Sequence, residues 1–266
     1  MHLDAVVVLV VAVVLGAAAA LVLRFRVRET FAGRDIVIVT SHYKEDLRWL
    51  AKAGLPVHIC DKAGSAPAGI ADAGACPRLG INRGREVSAY LSYIVANYDS
   101  LPGAVAFIHG HELAWHQKHP AGLLRAIETA DIERHGYVSL NVKGHGPYDT
   151  HDLDAAGPST ASGFHFLQRH WATDFAEFLG PMPRMIFHDC CAQFVVRRDR
   201  IRRHPRRAYE GWLRLSTTTN DEYAMGLGFE FIWHFIFGEP AMCTTDEDRP
   251  CDDAHYVQTR FVGDAA

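Results

Sequence analysis

Residues 35–46 read D-I-V-I-V-T-S-H-Y-K-E-D. The five positions from Ile36 to Thr40 are all β-branched and uncharged. Branched side chains sit well on a pleated surface, and a run with nothing polar in it can be covered on both faces, so these residues predict a buried strand. Polar side chains follow at once, which places any chemistry at the strand's carboxyl end. Residues 45–53 then predict a short helix with Leu47 and Leu50 facing inward, stopped by Gly54.

The same punctuation recurs outward from this stretch. Further strands are predicted over residues 56–60, 104–108, 137–140 and 193–196. Asn82 is a candidate cap for a helix in which Val87, Tyr90, Leu91, Ile94, Val95 and Tyr98 fall at helical spacing. Other helices are predicted over 120–134, 171–179, 205–215 and 228–237, with residues 63–80 and 141–163 left as loops. Strands alternating with helices define the α/β class, here with a mostly parallel sheet and helices on both faces. Ligands of such sheets bind outside the carboxyl ends of the strands.

Within 266 residues the organisation reads as three parts: an anchor and short stem over 1–34, one α/β domain over 35–240, and an acidic tail over 241–266. Ala5 to Leu23 is unbroken apolar chain, about 19 residues, the length a transmembrane helix requires. A cleaved signal peptide is the alternative, but the run is long for one and no Lys or Arg precedes it. The expectation is therefore a single-pass membrane protein in contact with lipid. Arg24, Arg26 and Arg28 follow the apolar run, which by the positive-inside rule puts the domain in the cytoplasm. Arginines can also snorkel to headgroups on either side, and the side stays open.

A formal net charge of -4 excludes a general nucleic-acid binder, which needs a basic surplus. Six cysteines permit disulfides. Adjacent Cys190 and Cys191 are poor partners for each other, whereas Cys243 and Cys251 flank an acidic loop and can close it. No C-x-x-C pair suggests a zinc ribbon.

The polar residues at predicted strand ends are the candidate site. His109 and His111 flank Gly110, and His116 follows in H-G-H-E-L-A-W-H. Imidazoles so spaced suit a divalent metal, with Glu112 as a possible added carboxylate; the alternative is a loop of hydrogen-bonded histidines around Trp115. Tyr43 and Glu45 follow the first strand as candidate substrate contacts, with Glu45 and Asp46 also suited to a helix N-terminus; Asp61 and Lys62 follow the second, where they can meet a ribose or a phosphate or form an ordinary surface turn. Arg83 and Arg85 open the long helix beside free N–H groups, an arrangement suited to a diphosphate or another anionic small molecule. Glu86 is their possible ion-pair partner. Glu230, on an otherwise apolar helix with His234 four residues on, is either structural or a catalytic base poised by burial. Asp189 is a second catalytic candidate. A basic run from Arg197 to Arg207 can bind phosphate or lipid headgroups, or can be a solvated helix face.

These segments together, T-S-H-Y-K-E-D-L-R-W-L, D-K-A-G, N-R-G-R-E, F-I-H-G-H-E-L-A-W-H, C-C-A-Q-F-V-V-R-R-D-R-I and G-F-E-F-I-W-H-F-I-F-G, resemble a family known only as a domain of unknown function. That family is in turn distantly similar to GT-A-type glycosyltransferases. The resemblance implies a strand ending near a Tyr-x-Glu-like turn, a mid-chain strand with a polar triplet, and a late Gln-Phe strand. It also implies a nucleotide-sugar substrate held through Mn or Mg. The triplet in that type is Asp-x-Asp, and here it is His109-Gly110-His111. Three functions follow as expectations: a glycosyltransferase-like enzyme, a hydrolase or oxygenase with Zn or a similar metal on His109, His111 and His116, and a non-catalytic membrane-tethered binding domain.

Overall fold

The computed structural model describes residues 35–64, 70–72, 74, 76–77, 79–117, 121–141, 144–189, 191–242 and 262. The expected anchor over 5–23 and most of the acidic tail lie outside the described residues. Among the described residues no helix is long and apolar enough to cross a membrane.

Five strands form the central sheet: β1 (Ile36–His42), β2 (Val57–Asp61), β3 (Ala104–Ile108), β4 (Tyr137–Ser139) and β7 (Phe194–Arg197), in the order β2-β1-β3-β7-β4. β2, β1 and β3 are parallel, with His42 opposite Asp61 and Thr40 opposite Ile108. β7 runs antiparallel to both β3 and β4. The sheet is thus mixed, which corrects the expectation of a mostly parallel one. The cause is local. β7 is entered from β6 (Met185–Asp189), which belongs to the separate two-stranded sheet, so the strand-helix-strand alternation behind the parallel expectation does not continue into β7.

Side chains alternate across the strands and divide the interior. Val39, Val105, Phe107, Phe194 and Val196 join one apolar cluster; Ile38, Ala106, Ile108 and Val195 join another on the opposite face. The first cluster is covered by helices α1 (Arg85–Asn97), α4 (Arg206–Thr218) and α5 (Glu222–Ile236), with α3 (Gly157–His170) packed on α5. The second is covered by the 3₁₀ turn Arg48–Lys52, by α2 (Leu123–Thr129) and by the short helix Ile132–His135. Helices on both faces are as expected. α3 and α5 approach closely at glycines: a Cβ on Gly163 would lie 2.5 Å from the Phe231 ring, and one on Gly228 2.8 Å from the Phe166 ring.

Several local expectations change. The helix expected over 120–134 is broken at Ala130, whose ψ of 120° is extended. Asn82 does not cap α1; the N-cap position is Gly84, at φ 72°. The expected loop over 141–163 instead holds β5 (Gly144–Asp149), which pairs antiparallel with β6 (Met185–Asp189), and the start of α3. Cys60 is disulfide-bonded to Cys76, and Cys191 is also in a disulfide.

Candidate functional site at the strand ends

The carboxyl ends of β1, β2 and β3 lie side by side, so the residues just beyond them share one rim of the sheet. On β1, buried His42 places Nδ1 3.1 Å from Asp61 Oδ1 at the end of β2. Asp61 Oδ1 also accepts the Ala63 N–H, while Oδ2 is buried without a hydrogen bond. Tyr43 is exposed, and its N–H and that of Lys44 both donate to Glu45 Oε2, at 2.6 and 3.1 Å. Burial pulls the Glu45 carboxyl up, but these backbone donors outweigh it and hold the group below its ordinary value. Glu45 lies against Gly110, where an added Cβ would be 2.9 Å from the Glu45 side chain. Trp49 Nε1 donates to the Gly110 carbonyl at 3.1 Å. Glu45, Trp49, Lys52, His111, Glu112 and Leu113 line a groove on this rim.

The histidine loop after β3 is tied to the neighbouring strands. The His109 N–H donates to Gln193 Oε1 at 3.0 Å, and Gln193 Nε2 donates to Asn141 Oδ1 at 3.0 Å. His116 Nδ1 donates to the same Asn141 oxygen at 2.8 Å, which places the ring proton on Nδ1. Gln193 and Asn141 thus connect three strand ends, a role the sequence reading did not assign to either. His109 is half-buried, with its Nε2 buried and lacking a partner, and burial drives it down to about 3, with the His116 and His111 charges acting in the same direction. The His109 ring centroid is 6.5 Å from that of His111 and 5.9 Å from that of His116. Among the described residues no group of three or more His, Cys, Asp or Glu is arranged to hold a metal ion.

A second cluster lies beside them, between α1 and α5. Lys62 is buried, and its Nζ donates to the Arg85 carbonyl at 2.5 Å. Burial lowers Lys62 to about 8 against the charges of Glu86, Glu222 and Glu45. Arg85 has φ 47° and crosses α5 at Gly226, where a Cβ would be 2.6 Å from Arg85 Cδ; its guanidinium lies 5.2 Å from the Tyr223 ring centre. Glu86 Oε1 is buried without a hydrogen bond, and burial raises that carboxyl. On α5, Glu230 accepts the Cys191 N–H at 3.1 Å. Burial, then the charge of Glu86, pushes Glu230 up to about 8.

Other candidates have structural partners. Arg83 donates to the Thr219 carbonyl at 2.6 Å and pairs with Glu222 at 3.4 Å, while Glu222 also accepts the Gly84 N–H. The N-R-G-R-E turn is thereby fastened to the α4–α5 connection. Asp189 ends β6 opposite Gly144, two residues before the Cys191 N–H that reaches Glu230. The basic run is spent on carbonyls and carboxylates. Arg198 donates to Leu101, Arg200 to Phe237, Gly238 and His135, and Arg202 to Tyr98 and Asp99. Arg197 pairs with Asp199, and Arg207 with Glu177.

The fold and site define a mixed α/β domain whose polar residues gather where three parallel strands end. The model of the family described as "Protein of unknown function (DUF3431)" matches residues 37–252, and the chain belongs to that family. No curated protein and no solved structure matches it.

Proposed function

We propose that this chain is a membrane-anchored transferase that moves a glycosyl group from a nucleotide-sugar donor to a hydroxyl acceptor at the carboxyl ends of β1, β2 and β3. The observation that carries the reading is the pair of cations, Lys62 and Arg85, set beside Glu86 and Glu230 at that rim. A departing diphosphate needs positive charge, and buried Lys62 and exposed Arg85 supply it. The acceptor oxygen bonds to the anomeric carbon as the bond from that carbon to the diphosphate breaks. The electron pair leaves on the diphosphate beside Lys62 and Arg85, and the acceptor's proton passes to the Glu86–Glu230 carboxyl pair. The distant glycosyltransferase resemblance motivates this reading; His109-Gly110-His111 follows β3, and the His109 N–H donates to Gln193.

The test is calorimetric titration of the full chain in detergent with nucleoside diphosphates, with and without Mn²⁺. Binding that weakens about tenfold or more in Lys62→Met or Arg85→Met supports the reading. No binding of any nucleoside diphosphate at millimolar concentration overturns it. One observation favours the alternative metal-dependent hydrolase, the buried and unpartnered Nε2 of His109. Stoichiometric zinc that is lost in His109→Ala/His111→Ala, without nucleotide affinity, would select that reading.

The domain is proposed to face an oxidising compartment. Cys60–Cys76 is bonded, Cys191 is bonded, and no described cysteine is free. Disulfides of this kind persist outside the reducing cytosol. They weigh against the cytoplasmic side that Arg24, Arg26 and Arg28 suggest.

A further inference from the structure

The loop after β3 is fastened to the sheet and yet shows two large apolar side chains to solvent. The Gln117 N–H closes a turn on the Ala114 carbonyl at 3.0 Å, and the Ala114 N–H donates to Gln117 Oε1 at 3.0 Å. His116, inside that turn, is buried and donates to Asn141, while the Gly110 carbonyl at the start of the loop accepts Trp49 Nε1. Between these fastenings Leu113 is 83% exposed and Trp115 71% exposed, whereas Trp49, Trp171, Trp212 and Trp233 are buried. Single exposed apolar residues are ordinary, but two large ones within three residues of a pinned loop form a surface suited to a partner. Leu113 also lines the rim groove with Glu45, Asp46, Arg48, Lys52 and Glu112. Apolar tips beside charged side chains match the boundary of a bilayer. There an indole ring settles at headgroup level, a leucine reaches the acyl chains and charged groups stay among the headgroups. The groove carries both signs, with Lys52 3.9 Å from Glu112, which suits a zwitterionic headgroup. Residues 24–35, between the apolar run and β1, can extend about 40 Å, and seven-residue β1 spans about 23 Å, so a bilayer at residue 23 lies within reach of the rim.

We propose that Leu113 and Trp115 enter the headgroup region of a zwitterionic bilayer, a lipid contact separate from the apolar run over 5–23, and that the groove beside them opens on lipid headgroups. This rests on the membrane-anchored part of the reading above and not on its transferase chemistry. For a transferase the consequence is a substrate class. The strand-end rim lies at the membrane surface, and the hydroxyl acceptor that enters the groove is carried by a lipid.

The test is tryptophan fluorescence of the full chain reconstituted in phosphatidylcholine vesicles, with and without acyl chains brominated near the headgroup, which quench an indole on contact. The apolar run contains no tryptophan, so loss of emission reports the domain. Wild type should lose emission in the brominated vesicles. Trp115→Phe should show no such loss, and Leu113→Glu, which puts a charge where leucine meets lipid, should show less of it. Both positions are exposed, so the melting temperature should hold in each variant. Equal wild-type emission in brominated and plain vesicles overturns the proposal, as does an undiminished loss in Trp115→Phe. Extraction of the same vesicles with alkaline carbonate reads the anchor separately. Wild type that resists extraction but is not quenched keeps the anchor and refutes the loop contact. Wild type that is quenched but extracted refutes the anchor and keeps the loop contact. A Trp115 emission shift with methyl glycosides, where bromine has no effect, would assign the loop to a soluble sugar and overturn the lipid contact.

Discussion

The backbone N–H of Cys191 meets Glu230 Oε2 at 3.1 Å from a residue held at φ 76°. A donor is thus fixed by strained backbone onto a carboxyl that burial keeps up at about 8. The first prediction concerns pH. The folded chain binds a proton at Glu230 that the unfolded chain releases above its ordinary 4.5, so native protein holds more protons between that value and about 8. Stability must therefore fall as pH rises through this window, by up to about 1.4 kcal/mol per pH unit for one such group. In Glu230→Gln the decline should flatten. Melting temperatures from pH 5 to 9 check this, and parallel curves for the two proteins would contradict it.

The Cys60–Cys76 bond spans 16 residues and begins one residue before Asp61 and two before Lys62. Removing it should destabilise the domain by about 2–4 kcal/mol. Cys60→Ser/Cys76→Ser measured by urea denaturation would show this as a lower midpoint. The same variant should lose nucleoside diphosphate affinity, because the end of β2 carries Lys62. Unchanged affinity at temperatures where the variant is folded would separate the disulfide from the site.

Gln193 satisfies the His109 N–H and donates to Asn141, which in turn holds His116. Gln193→Ala leaves buried polar groups without partners and should cost about 1–3 kcal/mol. His116 should also titrate differently once Asn141 is released, since that hydrogen bond opposes the downward effect of burial. NMR of the His116 ring across pH, in wild type and Gln193→Ala, reports both effects. A ring with the same titration in each would show that Gln193 does not position the loop.

Gly110→Ala introduces a Cβ 2.9 Å from Glu45 and 3.2 Å from Leu47. The overpacking should destabilise by about 1–3 kcal/mol and push Glu45 off the Tyr43 and Lys44 N–H groups. The Glu45 carboxyl should then move up toward its ordinary value, visible by carboxyl NMR. A Glu45 titration identical to wild type would contradict the contact.

The parts of this fold legible in the sequence are those decided by local patterns. The branched run at Ile36 and the apolar run over 104–108 needed no partner to be recognised as strands, and β3 has those bounds. β5 was not legible: G-H-G-P-Y-D has two glycines, a proline and no alternation, and it becomes a strand only by pairing with β6 from 36 residues further on. Asn141 carried no sequence signal and Gln193 entered only through the Gln-Phe segment, because their importance lies in bridging β3, β4 and β7. Glu86 was visible only as a partner for a neighbouring arginine; its buried oxygen emerges from the packing of α1 against α5. Six cysteines allow fifteen full pairings, so spacing did not select Cys60 with Cys76.

If Lys62 and Arg85 serve a diphosphate leaving group, that group must be released on turnover. The most direct measurement is release of nucleoside diphosphate when the full chain in detergent is mixed with a panel of nucleotide sugars and simple hydroxyl acceptors. Turnover of at least one donor by wild type is expected, with a loss of about 100-fold or more in folded Lys62→Met. No turnover of any donor, or equal turnover by wild type and Lys62→Met, would contradict it.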